Sequence, residues 1–122
     1  MKFSFCNESE TEVNEEVFRE LLKKVGGDGE INLILVDNKK IQKLNKQYRG
    51  IDKATDVLSF DYGDIFIAMP IAKKQAQEKE HSLEQELSIL FVHGVLHVLG
   101  HTHKNDDDEA EMEREARKIL ND

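Results

Sequence analysis

Cysteine occurs once among the 122 residues, proline once and tryptophan not at all. A single cysteine excludes an internal disulfide and fits a reducing compartment, so Cys6 is read as a small buried hydrophobe. No apolar run approaches the roughly 18 residues of a membrane span. Residues 1–5 lack the long apolar core of a signal peptide, which predicts a cytoplasmic protein without a membrane partner. Low-complexity tracts and internal repeats are also missing. What remains, 39% hydrophobic and 34% charged residues, predicts one globular domain over residues 1–122, large enough to bury a core unaided.

The net charge of −8 argues at first against a nucleic-acid partner, but the charge is unevenly spread. Between residues 39 and 53, Lys39, Lys40, Lys43, Lys46, Arg49 and Lys53 face only Asp52, a net of +5 that leaves −13 on the rest of the chain. This pattern describes a basic face on an acidic body.

Residues 2–6 alternate, with Phe3 and Phe5 on one side, and predict a short edge strand. Helical spacing of Val13, Val17, Phe18, Leu21, Leu22 and Val25 predicts a helix over 11–25, stopped by the glycines that follow. The aliphatic run 31–36 predicts an interior strand. A second helix fits 38–48, with Ile41, Leu44 and Tyr48 facing inward and the lysines outward. Residues 57–60 and 64–68 predict two strands joined by a tight turn. Pro70 suits the first turn of a helix continuing over 71–80. Ser82 and Gln85 form a capping-box pattern, residues 104–108 predict a loop, and 109–120 a last helix with Met112, Ala116, Ile119 and Leu120 inward. The order β-α-β-α-β-β-α-α-α predicts an α+β fold: a small mixed sheet of about four strands packed with helices.

The stretch from Ile89 to Leu99 is apolar except at His93, Gly94 and His97, which predicts a buried helix. Imidazoles there need partners. His93 and His97 are four apart, about 40° around the helix, and point the same way. Four of the five histidines lie between residues 93 and 103. Gly100 supplies a residue tolerant of positive φ that ends the helix, letting His103 approach from a third direction. His101 is the alternative, were the helix to run on. Three neutral nitrogens suit one zinc ion with an open fourth position.

The stretch His93-Gly94-Val95-Leu96-His97-Val98-Leu99-Gly100-His101-Thr102-His103 resembles the H-G-x-L-H-x-x-G-x-x-H signature of the YbeY family of bacterial rRNA-maturation endoribonucleases. Residues 44–60, from Leu44 through Tyr48, Arg49 and Asp56 to Ser59 and Phe60, resemble that family's second signature. Residues 63–67 and the Glu111-Met112 helix match in order. The chain departs from the pattern at Thr102, where an aspartate is common, and in the shortness of the turn around Tyr62.

The resemblance implies a zinc-dependent, single-strand-specific endoribonuclease of ribosome maturation and quality control. Its partners would be single-stranded RNA, an rRNA precursor and the small ribosomal subunit, with no DNA partner expected. The implied metal ligands are His93, His97 and His103, and the functionally required arginine falls on Arg49. Arg49, permanently charged and forked, suits bidentate contact with phosphate, and the lysine face beside it suits guiding a strand. Tyr48 could stack a base, but its register with Ile41 and Leu44 favours core packing, and Asp56 and Ser59 either orient Arg49 or line the groove, or serve as turn and strand-start residues. The bland alternative for Arg49 is an ion pair with Asp52 or Asp56, and His81 is read as a surface residue. Asp106, Asp107 and Asp108 are read as solvated loop. Zinc proteases share part of the histidine spacing but place a glutamate general base after the first histidine, where this chain has Gly94. The competing functional classes are a ribosome-assembly factor with a mainly structural metal and a zinc hydrolase of another substrate class. The former predicts an Arg49→Ala chain that still associates with ribosomes, the latter turnover independent of the lysine face.

Overall fold

The computed structural model describes residues 1–101 and 105–121. Its elements follow the predicted order: β1 (Lys2–Asn7), α1 (Glu16–Val25), β2 (Glu30–Val36), α2 (Asn38–Arg49), β3 (Val57–Ser59), β4 (Asp64–Ala68), α3 (Met69–Glu78), α4 (Leu83–Val98) and α5 (Asp106–Asn121). The sheet runs β1-β2-β4-β3, with β1, β2 and β4 parallel and β3 antiparallel at one edge. The fold is therefore α+β, on a mixed four-stranded sheet. Among the described residues no helix is long and apolar enough to cross a membrane.

Alternation along the strands divides the core in two. Ile31, Leu33, Leu35, Ile65 and Ile67 face a large core with Phe18, Leu21 and Leu22 of α1, Leu87, Phe91, Val92 and Val95 of α4, and Met112, Ala116 and Ile119 of α5. Val36, Leu58 and Ala68 form a smaller core with Ile41 of α2, joined by Leu44, Phe60 and Phe66 at its margin. Because Phe3 and Phe5 turn inward from edge strand β1, the even positions turn out, and Cys6 is exposed rather than buried.

Other boundaries shift where polar side chains compete for the backbone. Residues 11–15 lie outside α1: Asn7 Nδ2 donates to the Thr11 carbonyl at 2.8 Å and Glu16 N donates to Asn14 Oδ1 at 3.1 Å. Val13 still packs on the large core. The acidic stretch at 106–108 is the first turn of α5 instead of loop. There Asn105 Oδ1 accepts from Asp108 N at 2.9 Å, and carboxylates favour a helix N-terminus.

Two buried polar groups fix helices in place. Asn45, 4% exposed, donates through Nδ2 to the Lys53 carbonyl at 2.9 Å and ties α2 to the segment leading to β3. Glu86, fully buried on α4, receives Lys79 Nζ at 3.2 Å and bonds His81 Nε2 at 2.6 Å, so His81 is half-buried against α4 rather than a surface residue. The capping box is formed: Gln85 N donates to Ser82 Oγ at 3.1 Å and Ser82 N to Gln85 Oε1 at 2.9 Å. Ser82→Ala leaves Gln85 N without its acceptor and lowers stability by about 1 kcal/mol, read as a melting temperature lower by about 4 °C.

Candidate active site

The histidine helix begins at its capping box and runs buried along the sheet until Gly100. Two hydrogen bonds close its end, Gly100 N to the His97 carbonyl and His101 N to the Leu96 carbonyl, both 3.0 Å, with Gly100 at φ +102°. This is a Schellman termination, which turns the chain off the helix axis. His101 thus does not continue the His93–His97 face; it is half-buried and shares a small cleft with Gly100, Asp108 and Glu111. His103 and Thr102 lie outside the described residues.

Gly94 is buried between the two histidines for a steric reason. A Cβ built there would lie 2.8 Å from Ile65 Cγ2, so glycine lets α4 settle onto β4. His93 and His97 are both partly exposed, one helical turn apart. His93 Nε2 lies 3.5 Å from Glu113 Oε1 of α5. Sequence reasoning passed over Glu113, because no periodicity in α5 signals which exposed residue meets a neighbouring helix. Among the described residues no three His, Cys, Asp or Glu side chains form a metal-binding group. The donor chemistry of His93 and His97, two imidazoles on one helical face, fits a borderline divalent ion such as zinc.

Arg49 ends α2 on the other face of the sheet. Its Nη2 donates to the Ser59 carbonyl at 3.0 Å, reaching the edge strand β3. Neither alternative ion pair forms. Asp52 Oδ2 is 3.8 Å from Lys46 Nζ and Asp52 Oδ1 accepts from Gln42 at 3.0 Å, while Asp56 Oδ1 caps Val57 N at 2.8 Å and Asp56 Oδ2 accepts from Gln75 at 3.3 Å. Asp56 thus organises the start of β3. Ser59 pairs with Ile65 in the β3–β4 ladder, and Ile65 carries Gly94. One ladder rung therefore joins the carbonyl that holds Arg49 to the helix that bears the imidazoles.

Tyr48 is not a core residue. It is 57% exposed and meets Phe60 edge-on at 5.3 Å, beside Tyr62, which is 67% exposed. Partial desolvation, then the Asp64 carboxylate and the Tyr48 phenol, raise the Tyr62 pKa above the ordinary tyrosine value, so its hydroxyl is a neutral donor near pH 7. Lys39, Lys40, Lys43, Lys46 and Lys53 are all exposed as expected, with Lys40 paired to Glu8 at 2.8 Å and Lys46 to Asp52 at 3.8 Å.

Fold and site together define an α+β protein in which a buried helix presents paired imidazoles next to an edge strand that anchors an arginine. The family model described as Endoribonuclease YbeY matches residues 4–122, and the chain belongs to this family of endoribonucleases. It is similar to Endoribonuclease YbeY of Acholeplasma laidlawii, 39% identical over an alignment that covers 99% of this chain and 96% of that protein. Against the Bacillus cytotoxicus protein of the same name the identity is 38%, with coverage of 95% and 92%. The solution structure of TM1509 from Thermotoga maritima is similar at a TM-score of 0.69 and 30% identity, over 97% of this chain and 86% of that one.

Proposed function

We propose that this chain is a zinc-dependent, single-strand-specific endoribonuclease that acts in the cytoplasm on rRNA precursors, in small-subunit maturation and ribosome quality control, in association with the small ribosomal subunit. The observation that carries the reading is the rung Ser59–Ile65 beneath Gly94, which links the arginine's anchor to the helix of His93 and His97.

His93, His97 and His103 would hold the ion. Bound zinc supplies Lewis acidity toward a phosphate oxygen and lowers the pKa of water toward neutrality. Every other task falls to the chain itself. The Arg49 guanidinium, which spends one N–H on the Ser59 carbonyl, keeps further donors for a non-bridging phosphate oxygen and offsets the charge that builds on phosphorus. The Ser59 carbonyl limits the arginine's rotamers before substrate arrives, which reduces the ordering cost of binding. Lys43, Lys46 and Lys53 supply a screened attraction for the strand, so cleavage at subsaturating RNA falls as salt rises. The buried flank of α4 fixes both imidazoles on a rigid element.

The test is cleavage of single-stranded RNA by Arg49→Ala and Arg49→Lys chains of measured zinc content. The expected result is a loss of about 100-fold for alanine and little recovery with lysine, which lacks the fork. Zinc content and melting temperature stay at the wild-type value. Arg49→Ala activity equal to wild type overturns the arginine's role.

A further inference from the structure

Three rings at the end of α2 and in the β3–β4 turn have no task in the reaction described above. Phe60 and Tyr62 stack at 5.6 Å between centroids and 18° between planes, and Tyr48 meets Phe60 edge-on at 5.3 Å. Phe60 in turn packs edge-on against Phe66 at 5.9 Å, on the margin of the smaller core. The two outer rings, Tyr48 and Tyr62, are 57% and 67% exposed. Two exposed aromatic rings set against a half-buried one make a local aromatic patch, whose ring faces suit a partner with a flat apolar face.

We propose that Tyr48, Phe60 and Tyr62 form a stacking platform for an unpaired base of the RNA strand whose phosphate is held by Arg49. The proposal rests on the endoribonuclease reading and names a subsite of it. Charge decides the occupant. Arg49 adjoins Tyr48 in sequence, and its guanidinium holds the carbonyl of Ser59, the residue before Phe60. Residues 39–53 carry +5 on a chain of −8 overall. An aromatic surface bordered by cations fits a nucleobase attached to a phosphodiester, because the ring takes the base and the cations take the backbone. A duplex keeps its bases stacked on one another, so the platform selects single strands. Stacking is tolerant of base identity, which predicts weak sequence preference.

The platform is held before any RNA binds. Gly63, at φ +114°, closes the turn by donating to the Phe60 carbonyl at 2.9 Å, and the Gly63 carbonyl accepts from Asn32 N of β2 at 2.9 Å. This fixes the turn that carries Tyr62 against the central sheet. Tyr48 is carried by α2, whose end is capped by Gly50.

The experiment measures anisotropy of a fluorescein-labelled oligouridylate, and of the same strand with abasic sites, mixed with zinc-loaded full-length chain before measurable cleavage. Tyr62→Ala and Tyr48→Ala each weaken binding of the intact strand by about tenfold, the size of one lost base–aromatic stack. Tyr62→Phe binds like wild type. The abasic strand binds wild type more weakly, and the alanine changes weaken it little further. The slope of affinity against salt stays that of wild type, since no cation is removed. In cleavage assays the alanine variants raise KM and leave kcat within about twofold, as expected for uniform binding. Both side chains are exposed, and melting curves verify that the variants fold. Equal affinity of wild type and both alanine variants for the intact strand overturns the platform while the endoribonuclease reading stands. The same conclusion follows if the variants lose equal affinity for intact and abasic strands. A wild-type chain that neither binds nor cuts single-stranded RNA overturns both.

Discussion

Replacing His97 by alanine reduces cleavage of single-stranded RNA by about 1000-fold, the loss expected when several kcal/mol of charge stabilisation at phosphorus are removed. His97 is partly exposed on a helix whose opposite flank is buried, so the substitution removes an imidazole without opening the core. The fold therefore survives it. The discriminating readout is zinc linkage: an ion that binds the native chain raises its stability by about 2.7 kcal/mol at 100 times its Kd. Wild type melts higher when zinc is added and loses both that rise and its cleavage activity to a chelator, recovering them on readdition. The His97→Ala chain melts at the same temperature with and without zinc. Full activity in a His97→Ala chain free of wild-type contamination sinks the metal reading, and a zinc-dependent melting rise without any cleavage moves the structural-metal reading ahead.

Gly63→Ala lowers the stability of the chain by about 3 kcal/mol or more. Two costs coincide there. The residue sits at φ +114°, a conformation that alanine adopts only with strain, and its Cβ would fall 2.1 Å from the Glu30 carbonyl oxygen. Backbone on both sides leaves nothing flexible to yield. The turn must move away from β2, breaking the hydrogen bond of Asn32 N to the Gly63 carbonyl. With total stabilities of about 5–15 kcal/mol for ordinary domains, a thermal melt shows a fall of roughly 10 °C or more. Gly50→Ala is the control, since Gly50 has φ +70° but nothing within 4 Å of a Cβ; it loses only about 1 kcal/mol. Equal melting temperatures for the two variants show that the close approach at Gly63 carries no weight.

The element order was legible because hydrophobic period and turn residues agree along nearly the whole chain. Where they disagreed, local polar chemistry decided. Val13 keeps the helical phase of α1, yet Asn7 and Asn14 hold the preceding backbone in a loop. Tyr48 keeps the phase of Ile41, but the last turn of α2 lies beside the turn that follows edge strand β3, where among the described residues no further strand covers it. Asn45 takes an inward place that periodicity assigns to an apolar residue, because the Lys53 carbonyl is there to receive it. Glu86 was hidden for a similar reason. A carboxylate in the first turn of a helix reads as surface unless the packing of His81 and Lys79 against it is known.

The sequence by itself determined the histidine pair, since an i, i+4 spacing on an apolar helix puts two imidazoles on one face through local geometry alone. It also determined the capping box, the glycine stop at Gly100 and the basic segment, each a matter of neighbours in the chain. Tertiary structure decided what these features meet. Only folding brings Ser59, by pairing with Ile65, to the sheet position on which Gly94 rests, and so couples Arg49 to the histidine helix. Only folding sets Glu113 against His93 and turns Tyr48 out beside Tyr62. Those relations depend on strand register and helix ends, which are fixed by contacts between distant segments and leave no periodic trace in the chain.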